Sequence, residues 1–194
     1  MNILLVIAGS ISACKAPSII GGLKKRDHHV CCAWTKNAER FMGIDAIRFL
    51  ADETLEEDWG EANHLLSSEF DIFVVAPAST NIIAKFAGGI ADDFATSSYM
   101  ASPLAQKRIM FPSMNTKMWK HMATRRNLTI LQKYDNWNIR IPEEGKLACG
   151  DVGIGKLPST REICDDVELV ASGGWMLGSN NHAWRAKVHG VEGV

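Results

Sequence analysis

The sequence predicts an α/β fold: a doubly wound parallel sheet with helices on both faces. Three observations carry that prediction. Short, mostly apolar runs recur at residues 2–8, 29–35, 71–76 and 107–111, and such a run without polar alternation marks a parallel strand covered on both faces. Each run ends in a small or polar turn, Gly9-Ser10, Thr35-Lys36, Pro77-Ala78-Ser79 or Pro112-Ser113, and a helical pattern starts there. The connections are short, as in repeated β/α units. Together they describe a three-layer sandwich, Rossmann-like or flavodoxin-like.

Composition narrows the classes. A chain of 194 residues with 46% hydrophobic and 22% charged side chains fits one soluble globular domain. A formal net charge of -1 leaves no lysine and arginine excess for a nucleic-acid surface. The apolar start at residues 3–8 has no basic leader and runs straight into Gly9-Ser10, so it reads as a buried strand, and neither a secretion signal nor a membrane span is expected. Cys14, Cys31, Cys32, Cys149 and Cys164 form an odd set without C-x-x-C spacing, which fits reduced thiols in a cytoplasm and no metal site. Cys31 and Cys32 are neighbours in a strand pattern and should point to opposite faces.

In chain order, the first strand turns through Gly9-Ser10-Ile11-Ser12 into a helix ending near Lys25. Backbone N–H groups and hydroxyls at that helix start could hold a phosphate, although the full G-x-G-x-x-G fingerprint is missing. A second strand at 29–35 leads to a polar loop and short helix through Phe41, with Trp34 read as core or ligand wall. Residues 43–60 read as a short helix and an acidic surface excursion. His64 falls on a short helix before the strand at 71–76. Ser79, Thr80 and Asn81 then start another helix, where a cap is the simpler role for Ser79. After a break at Gly88-Gly89, a helix resumes at 94–101. The fourth strand at 107–111 enters Pro112-Ser113-Met114-Asn115-Thr116-Lys117-Met118-Trp119, then an amphipathic helix to about Tyr134 and a fifth strand near 137–141. Residues 147–155 form a glycine-punctuated loop with the thiol of Cys149, suited to close over a ligand. Ser159 caps a last helix, and the tail from Ser172 shows no periodic pattern.

Four motifs in this order, Gly9-Ser10-Ile11, His64, Pro77-Ala78-Ser79-Thr80-Asn81 and Pro112-x-Met114-Asn115-x-x-Met118-Trp119, resemble the flavin-containing cysteine decarboxylases. That family includes phosphopantothenoylcysteine decarboxylase and the lantibiotic peptidyl-cysteine decarboxylases. The likeness runs from about residue 2 to about residue 169, so residues 1–171 are read as the flavoprotein domain and 172–194 as a C-terminal extension or a tail foreign to it. Ala148-Cys149-Gly150-Asp151-x-Gly153-x-Gly155 is similar to the substrate clamp of the phosphopantothenoylcysteine branch.

The resemblance implies FMN as cofactor, held near Gly9, Ser10, Ile11, Thr35, Phe41, Ser79, Asn81 and Ser97. It implies His64 as the base of the oxidation step, Asn115 as the amide that holds the substrate carboxylate and Cys149 as the late proton donor. Met118, Ala148 and Gly150 would border the substrate together with Asn115 and Cys149. An imidazole accepts a proton near neutral pH, an amide donates without adding charge, and a thiol is a competent acid. Three positions depart from the family's habit: Ile82 for threonine, Thr80 for alanine and Ser113 for alanine.

The implied reaction is decarboxylation of 4'-phosphopantothenoylcysteine to 4'-phosphopantetheine through a thioaldehyde and an enethiol. Oxidative decarboxylation of a C-terminal peptidyl cysteine is the second enzyme reading, and a flavin-binding regulatory subunit is the reading of another class. The family's homotrimers, sometimes stacked into dodecamers, make a homotrimer the expected assembly.

Overall fold

A computed structural model of the chain describes residues 1–55 and 70–174. The described residues form a six-stranded parallel sheet with helices on both faces, plus one separate hairpin. The strands are β1 (Asn2–Ile7), β2 (His29–Trp34), β3 (Glu53–Leu55), β4 (Ile72–Ala78), β5 (Lys107–Pro112) and β6 (Asn138–Ile139), in the spatial order β3-β2-β1-β4-β5-β6. The chain winds outward from β1 in one direction through β3, then crosses to β4 and winds outward in the other. Connections therefore leave β1 and β4 on opposite sides, opening a crevice at their carboxyl ends where open α/β sheets bind ligands.

Alternate side chains of each strand feed two cores. Leu4, Val6, Cys31, Phe73, Val75 and Met110 pack on one face against α3 (Thr80–Gly88), α4 (Phe94–Ala101) and α6 (Met122–Tyr134) through Ile82, Phe86, Phe94, Leu128 and Leu131. Ile3, Leu5, Ile7, Val30, Cys32, Val74 and Phe111 pack on the other against α1 (Ala16–Lys24), α2 (Ile44–Leu50) and α7 (Thr160–Ala171) through Ile19, Ile20, Leu23, Ile47, Ile163 and Val167. Each such aliphatic side chain contributes roughly 1.5–3 kcal/mol on burial. Cys31 and Cys32 do lie on opposite faces, both fully buried.

Four features differ from the sequence-based expectation. The acidic segment after α2 contains β3, which pairs with β2 through Cys31 and Glu53; a three-residue edge strand whose one apolar side chain is Leu55 leaves no apolar run to detect. β4 continues through Pro77 to Ala78, where the register against β5 shifts between Val75 and Ala78. A proline cannot donate to a ladder, so its place in a central strand coincides with that irregularity. The helix expected to run unbroken to Tyr134 is two, α5 (Thr116–Lys120) and α6, separated by His121 in an extended conformation, whose Nδ1 accepts from the Ala123 N–H at 3.1 Å.

The glycine-punctuated segment, finally, is half strand. β7 (Glu143–Lys146) and β8 (Val152–Lys156) form an antiparallel hairpin, so only residues 147–151 at its tip are a loop. Ser159 caps α7 as expected, in a reciprocal pair with Glu162.

Candidate functional site

The carboxyl ends of β1, β2, β4 and β5 place four polar turns along one rim. After β1, Ser10 caps a 3-10 turn (Ile11–Lys15) that runs into α1, its hydroxyl accepting from the Ser12 N–H at 3.3 Å and donating to the Ser113 carbonyl at 3.3 Å. After β2, the buried Thr35 accepts the Gly9 N–H through Oγ1 at 3.1 Å. After β4, Ser79 caps α3 by accepting from the Ile82 N–H at 3.4 Å. After β5, Asn115 caps α5 by accepting from the Met118 N–H at 2.9 Å. The Asn115 amide, accepting in this way through its oxygen, keeps its NH₂ hydrogens to donate outward.

A cleft of about 420 Å³ opens at this rim between the turn after β1, the turn after β5 and the hairpin. Of the residues singled out from sequence, it gathers Ser10, Ile11, Asn115, Ala148 and Cys149. Asn81 and Met118 line a different hollow of about 470 Å³ on the face of α3, α5 and α6, together with His121 and Asn127. Gly9 and Thr35 are joined to each other at the rim, while Phe41, Ser79, Ser97 and Gly150 line neither hollow. His64 lies outside the described residues. Trp34 is half-buried on the wall of a smaller hollow of about 180 Å³, with its indole N–H donated to Glu39 at 3.2 Å.

The cleft also contains residues that the sequence reading passed over. Lys15, Lys146 and Lys156 line it, Lys156 paired with Glu143 at 3.5 Å, and no carboxylate is among its lining residues in the described part of the chain, so its charge favours an anionic ligand. Cys14 brings a second thiol, and Ser12 and Ser113 share a hydrogen bond at the floor, 2.7 Å between oxygens. Lys15 could have been found as the basic residue one turn beyond Gly9-Ser10. Lys146 and Lys156 could not, since their common face depends on the hairpin register.

At the tip of the hairpin, the Leu147 N–H donates to the Asp151 carbonyl at 2.8 Å and the Gly150 N–H to the Leu147 carbonyl at 2.9 Å. The exposed Cys149 thiol faces the Asp151 carboxylate, Sγ to Oδ2 3.6 Å. Cys31 and Cys32 are chemically quiet by contrast: burial pushes the Cys31 thiol up to about 12 and Cys32 higher still.

This combination, a doubly wound sheet with a polar rim under a hairpin that carries a thiol, is matched over residues 1–171 by the Flavoprotein family. The chain belongs to the flavoprotein family. Among curated relatives of this flavoprotein, the "Probable phosphopantothenoylcysteine decarboxylase" of Streptococcus mutans is 36% identical over 174 residues, covering 86% of this chain and 97% of the relative. The coenzyme A biosynthesis bifunctional protein CoaBC of Bacillus subtilis is 32% identical over 84% of this chain, a match to 41% of its own length.

Solved structures agree. A PPC decarboxylase mutant complexed with pantothenoylaminoethenethiol superposes with a TM-score of 0.80 at 25% identity, over 87% of this chain and 96% of that one. The FMN binding protein AtHal3 does so with a TM-score of 0.79 at 25% identity, over 90% and 98%. No helix among the described residues is long and apolar enough to cross a membrane.

Proposed function

We propose that this flavoprotein is an FMN-dependent decarboxylase that converts 4'-phosphopantothenoylcysteine to 4'-phosphopantetheine in coenzyme A biosynthesis. The observation that carries the reading is the meeting of Asn115 and Cys149 in one lysine-lined cleft at the sheet's switch point. The two relatives named for this pathway and the decarboxylase structure support the substrate class.

The rim suits the cofactor. Three helical starts, at Ser10, Thr35 and Ser79, lie at the carboxyl edge, and the first N–H groups of a helix are the donors that suit a phosphate. Ile82, where the family often carries threonine, keeps its side chain in the core and spends its N–H on Ser79, so its contribution there is structural. When bound, FMN supplies the two-electron acceptor for the substrate's thiol-bearing carbon and returns the electrons at the end.

The chain's own groups place and protonate. His64 accepts the proton released as the substrate thiol is oxidised to a thioaldehyde. The side-chain oxygen of Asn115 is committed to the Met118 N–H, so its NH₂ group is the part left for the substrate carboxylate. A neutral donor holds that carboxylate without the charge that would oppose loss of carbon dioxide. The lysines attract the anionic substrate, and Cys149, on the tip over the cleft, gives up the proton needed to complete the reduced product. Asn81 and Met118, on the other hollow, fit a site completed by a neighbouring subunit of the homotrimer that the resemblance implies.

Mass spectrometry of the products from phosphopantothenoylcysteine, in parallel with a peptide ending in cysteine, tests the reading. The expected result is 4'-phosphopantetheine from the first and no product from the second. Turnover of the peptide alone would overturn it.

A further inference from the structure

We propose that Thr116 is a positioning residue that couples the thiol-bearing hairpin to the turn presenting Asn115. Thr116 is the first residue of α5, next to the cap Asn115, and its Oγ1 donates to the Ile154 carbonyl of β8 at 2.9 Å. On the other side of Asn115, the Met114 N–H donates to the adjacent carbonyl, Gly155, at 3.1 Å. Two consecutive carbonyls of β8 thus bracket the residue that caps α5, one bond on each side. Of the two ties, Thr116 supplies the one that a side-chain change can remove.

The register of the hairpin shows that this docking shapes the strand. Glu144 pairs with Ile154 but Glu143 with Lys156, so Gly155 is the extra residue of a bulge, at φ +147°. A Cβ on Gly155 would stand 1.9 Å from the Met114 carbonyl oxygen, and one on Gly153 would stand 2.4 Å from Thr116 Oγ1. Glycine at both places lets β8 lie directly on the Met114–Thr116 backbone. The tip at 147–151 is closed by its own hydrogen bonds, so its position over the cleft follows that of β8. Thr116 therefore sets the distance between the Cys149 thiol and the Asn115 amide through a side-chain bond to β8, with its hydroxyl bonded to neither of those two groups.

The activity arm of the test rests on the decarboxylase reading, while a second arm does not. Thr116→Val removes the hydroxyl and keeps the branched shape; Thr116→Ser keeps the hydroxyl. In the protein without substrate, hydrogen exchange across residues 143–156 should rise about fivefold in the valine variant, the effect of losing one neutral hydrogen bond, and return to the wild-type rate in the serine variant. During turnover of phosphopantothenoylcysteine, the ratio of enethiol to 4'-phosphopantetheine should rise by about the same factor with valine and be restored with serine. Unchanged exchange in the hairpin would overturn the coupling. So would an unchanged product ratio alongside uniformly lower turnover, because a merely structural threonine moves both products together. If the wild-type protein makes neither product, the decarboxylase reading fails and the exchange arm still decides the coupling.

Discussion

The hydroxyls of Ser12 and Ser113 lie 2.7 Å apart, joining the turn after β1 to the end of β5 beneath the cleft. Ser113 is buried, so the bond ties the two turns together inside the rim. Ser113→Ala should cost about 1 kcal/mol in urea unfolding, the net worth of one neutral hydrogen bond, and leave flavin uptake intact. Flavin absorbance after reconstitution, together with the unfolding midpoint, checks both halves.

Under the proposed function Asn115 serves two ends, its oxygen capping α5 and its NH₂ holding the substrate carboxylate. Aspartate caps a helix as well as asparagine does, so Asn115→Asp should leave the melting temperature within about 2 °C of wild type. A carboxylate facing the substrate's own carboxylate is repulsive, and kcat/KM should fall roughly a hundredfold or more. Loss of activity together with a large loss of stability would instead point to a damaged cap.

For Cys149→Ser the expectation is a change of product. A serine hydroxyl is a far weaker acid than a thiol, so carbon dioxide should still leave while the enethiol accumulates in place of 4'-phosphopantetheine. Undiminished formation of phosphopantetheine would remove Cys149 from the protonation step.

Thiol reactivity should follow exposure. In native protein, iodoacetamide should modify Cys14 and Cys149 and spare Cys31, Cys32 and Cys164, which are buried and whose thiols burial pushes up. Peptide mapping after brief alkylation gives the answer, and rapid labelling of Cys31 or Cys32 would contradict the packing of β2.

The pH dependence of stability has a named contributor in Asp166 on α7. Burial pushes its carboxyl up to about 6, opposed by Arg140, whose Nε lies 3.4 Å from Oδ2, and assisted by Glu162 and Asp165. Among the described residues, neither that Nε nor that Oδ2 has a hydrogen-bond partner. With the folded value above the unfolded one, Asp166 stabilises the fold at acid pH and loses that contribution as pH rises from about 4 through 6. Asp166→Asn does not titrate, so its melting temperature relative to wild type should improve by about 2–4 °C between pH 4.5 and 7.5. A constant or shrinking difference would refute the assignment.

The buried strands were legible because a parallel strand covered on both faces has no polar alternation, as in the run from Ile3 to Ile7. β3 was not, since a three-residue strand with Glu53 and Thr54 is recognised by its pairing beside β2 and not by an apolar run. Nor was the break at His121, where an imidazole does the capping usually left to serine or aspartate. The cleft was half legible: Ser10, Asn115 and Cys149 lie in motifs, but the partition that sends Met118 to the other hollow depends on which face of α5 each residue takes. Asn115 is the extended cap and Met118 the third residue of α5, so the two do not share a helical face and line different hollows.

The sheet has brief margins, three residues in β3 and two in β6. So little unpaired backbone is a poor template for another strand to add to. Among the described residues, lateral growth of this sheet into a continuous inter-molecular one is thereby discouraged at both flanks.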